Sequence, residues 1–469
     1  MSEYSAPVSH RHALMALLRR LHFYVGLFIG PFIFVAALTG TLYVLTPQLE
    51  NRLYADVLFS DSPGEAQPLS RQVAAAQAFY GTDKRIAAVR PAPTTGETTR
   101  VMFANPAFGP SETEAVFVDP VTLQVLGAMK AYGTSGILPF RTTLDYLHRS
   151  LLLGDLGRNY SELAASWLWV AALGGLVLWI GQRAPRARAG AAASRGQLRL
   201  RNRRRHTLLG GTLLIGLLFL SVTGLTWSNW AGNNIASLRQ HFGWLTPQVN
   251  TALAPSTTPA AADPHAEHHH AMAGMPMSAD KAQPVTAAQF DGVLHSARAA
   301  GISAGKVEIR PSYLANKAWT VSEIDRRWPT RVDAVSINGH TLQPVDKVEF
   351  AHFGLLAKLT RWGVDAHMGV LFGLANQLLL VLFGVGLCTL IALGYRLWWL
   401  RRPAVNSALS PLETLTGCWC RLGAPGKVFI LLLAALLGWS LPLMGLSLLV
   451  FIAVDLLRWR QAQRQLQPA

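Results

Sequence analysis

"HFYVGLFIGPFIFVAALTG" (residues 22–40) and "HTLLGGTLLIGLLFLSVTG" (residues 206–224) carry one pattern twice. Each opens on histidine, has glycine four residues on and closes on Thr-Gly: His22, Gly26, Thr39 and Gly40 against His206, Gly210, Thr223 and Gly224. Each is also apolar over the ~20 residues that a helix needs to cross a ~30 Å hydrocarbon layer. A second match lies downstream at a constant offset of 219 residues. There His148, Gly154, Gly175, Leu178 and Trp179 correspond to His367, Gly373, Gly394, Leu397 and Trp398, and the "TLQ" at Thr122 to that at Thr341. Self-similarity at fixed separation marks a duplicated architecture, so the chain reads as two tandem units. Each unit is an outward span, an exported domain and an inward span. Units that start on the same side are parallel repeats about an axis along the membrane normal. The offset grows from 184 to 219 between the two matches, which places a net insertion of 35 residues in the second exported domain.

The 469 residues are 51% hydrophobic and only 14% charged, the balance of an integral membrane protein. Apolar runs at 23–46, 163–181, 207–230 and 368–400 supply four spans. A further run, 428–457, is interrupted at Gly438-Trp439-Ser440-Leu441-Pro442 and reads as one long helix or as a tight hairpin. The net charge of +16 does not describe a nucleic-acid surface, because it is concentrated in one loop. Nine arginines and no acid lie between Gln182 and Arg205, whereas 47–162 holds 10 basic against 12 acidic residues and 231–365 holds 12 against 11. The positive-inside rule therefore puts the N-terminus (Arg11, Arg19, Arg20) and that loop in the cytoplasm, with the two large segments outside. It also decides the last run: a hairpin keeps Arg458, Arg460 and Arg464 inside, where a single span would export them.

The expected order is then a cytoplasmic N-terminus and first span (1–46), a first exported domain (47–162), a second span (163–181) and a basic loop (182–206). A third span (207–230), a second exported domain (231–366) and a fourth span (367–400) follow. A cytoplasmic loop (401–427), a two-span hairpin (428–457) and a cytoplasmic tail (458–469) complete it. The first span is too long for a signal-peptide core and no clear cleavage site follows, so it is expected to remain as an anchor. Cys388 falls within a span and Cys418 and Cys420 face a reducing compartment, so no disulfide framework is implied. Each exported segment has the pattern of a small α+β domain. The first shows a helix over 68–80, strands near 86–91, 99–104 and 114–119, and a turn at Asp119-Pro120. The second shows a helix over 284–300, strands near 305–310, 317–323 and 331–337, and a hairpin turn at Asn338-Gly339.

Histidine inside or beside a span is costly and usually has a role. His22 and His206 open the odd-numbered spans at the cytoplasmic end, while His148 and His367 precede the even-numbered spans on the exported side. A duplicated four-helix bundle thus brings two histidines to each face, where facing helices supply ligands to a central cofactor. Paired neutral imidazoles suit the axial positions of a haem iron. Gly26, Gly30, Gly210, Gly211, Gly369 and Gly373 would let a flat macrocycle or a neighbouring helix approach, and Arg149, Arg158 and Arg361 are candidates to meet its propionates. From His148 to Trp179 is 31 residues, about 46 Å as unbroken helix, which exceeds the membrane. "GDLGR" (154–158) is therefore expected to break that helix, leaving His148 and likewise His367 on short interfacial helices. His352 has no partner in the first unit and reads as structural or as a spare ligand. His10, His12, His241, His295 and His340 read as surface residues.

The insertion contains "DPHAEHHHAMAGMPMSAD" (263–280). His265, His268, His269 and His270 with Met272, Met275 and Met277 suit copper, imidazole for Cu(II) and thioether for Cu(I), or iron. The same composition also describes a solvated linker. Cys418-Trp419-Cys420 lacks a second ligand pair and is a weak metal signal.

Four pieces, "LHFYVGLFIG…LTGTLY", "LDYLHRSLLLGDLGR", "RRHTLLGG…VTGLTW" and "HMGVLFGLANQ…GYRLWWLRRP", resemble the PepSY-associated transmembrane family over roughly residues 15–403. These are bacterial iron-regulated inner-membrane proteins that include ferrisiderophore reductases. The resemblance implies that the exported α+β domains are PepSY-like, so the expected fold is an α-helical membrane protein with a duplicated four-helix haem-type bundle and two such domains; the C-terminal helical hairpin and the His/Met insertion depart from the family pattern. The resemblance also implies haem b, two per chain, held by His22, His148, His206 and His367. Electrons would pass outward to a periplasmic ferric-siderophore or other chelated metal. No nucleotide- or flavin-binding signature is present, so the donor would be a separate cytoplasmic reductase or a membrane quinol. Two other functions fit the sequence. One is a non-catalytic PepSY membrane protein that binds a periplasmic partner, and the other is a periplasmic copper-handling protein.

Overall fold

The computed structural model describes residues 10–181, 195–253, 283–402 and 414–465. The His/Met segment 263–280, including every metal candidate from His265 to Met277, lies outside the described residues.

In chain order the helices are α1 (His10–Tyr24), α2 (Gly30–Val44), α3 (Thr46–Leu53), α4 (Ala55–Leu58), α5 (Leu69–Tyr80), α6 (Pro139–Ser150) and α7 (Gly154–Gly181). The second half has α8 (Arg195–Leu225), α9 (Trp230–His241), α10 (Gln289–Ala299), α11 (Leu355–His367) and α12 (Leu374–Arg401). Three more, α13 (Leu415–Cys420), α14 (Ala424–Ser440) and α15 (Pro442–Arg464), end the described chain. Among the described residues, five helical stretches are long and apolar enough to cross a membrane: Arg11–Val44, Gly154–Gly181, Arg195–Leu225, Leu374–Arg401 and Pro442–Arg464. The first of them contains a π-helical turn, Val25–Ile29, between α1 and α2. The interrupted C-terminal run forms two helices. The backbone leaves helical geometry at Leu441 and Pro442 begins α15. The 17-residue α14 is apolar but shorter than the other spans. Its Gly438 packs against Gly445, where a Cβ would come within 2.8 Å of the Gly438 Cα, the close approach that small residues permit between membrane helices.

The chain divides into two compact units. The helical unit comprises residues 1–42, 146–235 and 379–469. Its core joins Tyr24, Val25 and Ile29 to Trp167, Leu213, Leu217, Leu387 and Phe451. Trp167 donates through Nε1 to Ser447 Oγ (2.8 Å), and Gly216 accepts the edge of the Phe383 ring where a Cβ would sit.

The sheet unit comprises residues 43–145 and 236–378. Its strands are β1 (Ile86–Arg90), β2 (Thr99–Phe103), β3 (Glu112–Val118), β4 (Val125–Tyr132), β5 (Val307–Arg310), β6 (Trp319–Glu323), β7 (Ala334–Ile337) and β8 (Pro344–Val348). They form one antiparallel sheet in the order β4-β3-β2-β1-β5-β6-β7-β8. Two separate α+β domains were the expectation; here their sheets are continuous, joined where β1 pairs with β5 at Val89 and Ile309. The physical reason is the edge strand. β1 and β5 each bound a four-stranded half, and an unpaired edge is a template for another strand. Helices α5 and α10 cover the sheet, with Val73, Ala76, Phe290 and Val293 packed on Val89, Phe103, Val116, Ile309 and Trp319.

The two halves of the sheet build the same turn 219 positions apart. Asp119 Oδ1 accepts from the backbone N–H of Val121 and Thr122, and Asn338 Oδ1 from those of His340 and Thr341. Leu123 and Leu342 both adopt the left-handed conformation, at φ +63° and +60°.

Candidate functional site

The helix break expected near "GDLGR" falls between Ser150 and Gly154, with Leu151, Leu152 and Gly154 at positive φ. His148 accordingly lies in the last turn of the short α6, ahead of the long α7. The second unit repeats this plan. His367 ends α11, Gly369 and Gly373 turn the chain at φ +73° and +56°, and α12 begins at Leu374. These two glycines thus serve the corner itself, the role that positive φ reserves for glycine.

Within the helical unit the structure brings His22 and His206 together. Their ring centroids are 6.4 Å apart and the ring planes stand at 81°. Their surroundings match position by position at the repeat offset. His206 Nδ1 lies 3.1 Å from the Leu390 carbonyl. His22 Nδ1 approaches the Ala171 carbonyl, outside strict hydrogen-bond geometry. Residues 171 and 390 are 219 apart. So are Gly175 and Gly394, where a Cβ would stand 3.3 Å from His22 Cε1 and 3.6 Å from His206 Cε1. His206 is therefore aligned by a carbonyl through Nδ1, and each imidazole faces a glycine. The π-helical turn begins three residues after His22, and such turns recur at functional sites. Gly26 within that turn, and Gly211 on α8, have no atom within 4 Å of a built Cβ, whereas Gly30 contacts Tyr395 and Gly210 contacts Leu390.

His148 is held by α2. Its Nδ1 is 3.2 Å from Thr39 Oγ1, whose own proton goes to the Val35 carbonyl at 2.7 Å. This contact fixes the orientation of the His148 ring against α2. Gly40 makes room for the ring, since a Cβ there would lie 3.0 Å from His148 Cε1. The Tyr160 hydroxyl donates to the His148 carbonyl.

The candidate propionate arginines are engaged by protein groups. Arg158 Nη2 donates to the Trp227 carbonyl (3.1 Å), and the Arg149 guanidinium lies over the Tyr146 ring at 5.4 Å. In the sheet unit, Arg361 Nε pairs with Asp365 Oδ2 at 3.2 Å. His352 is exposed and 3.2 Å from Glu349; His340 Nε2 donates to Gln283 Oε1 (2.7 Å). His12, His241 and His295 are exposed, as expected. Among the described residues, no group of three or more His, Cys, Asp or Glu is placed to hold a metal ion. Sequence reasoning missed Asp365, Tyr160 and the orienting role of Thr39. For Thr39 the signal was present in the repeated Thr-Gly.

A multi-pass helical membrane protein that also carries a large antiparallel sheet is the class that this fold defines. The chain matches the family described as the PepSY-associated TM region over residues 19–401, and it belongs to that family. No curated protein matched it.

Proposed function

We propose that the protein is a haem b-containing inner-membrane oxidoreductase that passes electrons outward to a periplasmic ferric-siderophore or similar chelated metal. The observation that carries this reading is the His22–His206 pair. With ring centroids 6.4 Å apart, the two imidazoles are near enough that both would hold one haem. Metal-bound histidines commonly give their second ring N–H to a carbonyl, which fixes the tautomer. The Leu390 carbonyl does this for His206 and the Ala171 carbonyl lies in the same place for His22. Thr39 holds the His148 ring through Nδ1.

A bound haem would supply one-electron chemistry at its iron. The chain's own work is to present neutral Nε2 atoms, keep the rings from turning and exclude water. His22 and His206 would hold one group, and His148 and His367, at repeat-related corners, are each further candidate ligands. On the donor side, an open apolar cavity of about 530 Å³ is lined by Tyr24, Phe28, Leu163, Phe451 and Tyr160. It suits the chain of a membrane quinol next to the tyrosine that binds the His148 carbonyl. A cytoplasmic reductase is the other donor consistent with the basic inner loop. The His/Met segment would be an accessory trap for copper or iron on the exported side.

The test is an absorption spectrum of protein purified from haem-replete cells. A dithionite-reducible b-type spectrum is expected, diminished by His22→Ala and by His367→Ala. A colourless wild-type protein would sink the proposal.

A further inference from the structure

One hairpin of the sheet unit is tied to the corner that carries His367. The β6–β7 connection, "IDRRWPTRVD" (324–333), is closed by the Asp325–Arg331 bridge. Arg326 Nε reaches Asp365 Oδ1 at 2.7 Å, and Arg361 holds the other carboxylate oxygen. Asp365 has no solvent exposure, and its two guanidinium partners are nearly buried. It sits two residues before His367, and its own carbonyl accepts the Val370 and Leu371 N–H groups that close the corner. The Trp328 N–H donates to the Leu371 carbonyl at 2.7 Å. Trp328 also packs on Trp362 and Phe372, at 5.5 and 6.1 Å between centroids, and Trp362 Nε1 donates to Thr330. Asn376 Nδ2 completes the corner by binding the Ala366 carbonyl (2.9 Å).

The strictly equivalent positions of the first copy differ. At the positions 219 residues earlier stand Ala107, Gly109, Thr142 and Tyr146 in place of Arg326, Trp328, Arg361 and Asp365. In that copy Thr39 and Tyr160 bind His148. A buried carboxylate between two arginines is costly unless its geometry is maintained. The Asp365 cluster, with both guanidinium groups on one carboxylate, stands two residues from His367.

We propose that Asp365 is a positioning residue for His367 and that the Arg326–Trp328 hairpin is a clamp through which the sheet sets that histidine's orientation. This rests on the reading of His367 as an axial ligand. The clamp makes the two ends of the electron path unequal. The pair His22 and His206 is set by membrane helices, whereas His367 is set by the domain that would face the substrate.

The experiment uses full-length protein in detergent, with Asp365→Asn, Arg326→Gln and Arg326→Lys. Hydrogen exchange is followed over residues 364–372, and the midpoint potential and low-spin resonance of each haem are recorded. Asp365→Asn and Arg326→Gln are expected to speed exchange at the corner several-fold. They should also shift the potential and resonance of the haem that His367→Ala removes. The haem that His22→Ala removes should stay as in the wild type, and Arg326→Lys should recover part of the shift. Unchanged corner exchange in both variants overturns the clamp. Faster exchange with both haem signals unmoved overturns the positioning role. A protein that binds no haem defeats the functional reading, while the exchange measurement still decides the clamp.

Discussion

Gly40 and Gly224 occupy the same place in the two copies of the span motif, yet they have different work. A Cβ on Gly40 would press the His148 ring at 3.0 and 3.3 Å, whereas one on Gly224 would meet the Ala165 Cβ at an ordinary 3.5 Å. Alanine gains up to about 1 kcal/mol over glycine inside a helix. Gly224→Ala should therefore leave thermal stability in detergent unchanged or slightly raised. Gly40→Ala should lower it, and should reduce any haem absorbance, because the ring must leave Thr39. Equal behaviour of the two variants would show that His148 is not seated against α2. The twin turns offer a second natural control. Burial raises the Asp119 carboxyl, but hydrogen bonds from Ser62, Ser60, Val121 and Thr122 outweigh it and hold the group well below the usual carboxylate range. A depressed carboxyl stabilises the fold above its unfolded value of about 4 and loses that contribution as pH falls towards the folded value. Asn338 makes the same backbone bonds without titrating. Below about pH 4, exchange should rise in the β3–β4 hairpin before the β7–β8 hairpin, and Asp119→Asn should abolish the difference.

At the scale of elements, the seam between β1 and β5 is where the sheet is most exposed to failure. Glu308 on β5 binds Arg90 of β1 at 2.6 Å and Arg310 at 2.5 Å. Arg90 also donates to the Thr134 and Ser135 carbonyls, so one side chain ties both halves of the sheet to a loop. Arg90 is 9% exposed and Arg310 30%. Stranding a buried charge costs about 3–5 kcal/mol, far more than loosening an exposed one. Glu308→Gln should therefore destabilise the sheet by about 3 kcal/mol, and Arg310→Gln by under about 1 kcal/mol, both measured by urea unfolding. Similar losses would show that the seam does not depend on the Arg90 pair. Most of these elements were legible in the sequence. Turn chemistry at Asp119 and Asn338, period-two alternation and the long apolar runs locate β1–β3, β5–β7, α5 and the spans. The joining of the halves was not, because strand periodicity describes the faces of a strand and says nothing of what pairs with its edge. Nor was β8, where Pro344-Val345-Asp346-Lys347-Val348 is largely exposed and gives little alternation to read. The four histidines were visible from the repeat. Asp365, Arg326 and Trp328 were not, since the strictly equivalent positions of the first copy differ.

At the scale of the molecule, α13–α15 lie beyond the family match, which ends at residue 401, yet they are joined to the first span beside His22. The connection is Asp455, fully buried on α15. Its carboxylate accepts from Tyr24 Oη (2.5 Å), Leu415 N (2.9 Å), Thr416 N (2.7 Å) and Thr416 Oγ1 (2.8 Å), and Arg458 Nη1 donates to the same Tyr24 oxygen (3.1 Å). One carboxylate thus gathers α1, α13 and α15 at a point two residues from His22. Removing Tyr24 Oη with Phe deletes one of four bonds, worth about 1 kcal/mol. Asp455→Ala deletes all four and leaves two backbone N–H groups without their acceptor, each costing about 1–3 kcal/mol. Trypsin cleavage after Arg421, at the end of α13, reports how firmly this segment is docked. In full-length protein it should be fast for Asp455→Ala, slightly faster than wild type for Tyr24→Phe, and slow in the wild type. Because the Ala171 and Leu390 carbonyls and the Gly175 and Gly394 faces lie on α7 and α12, the His22–His206 pair should keep its spectrum when the C-terminal segment is loosened. A spectrum lost together with protease resistance would mean that the C-terminal helices hold His22 in place, and that the site does not end with the duplicated spans.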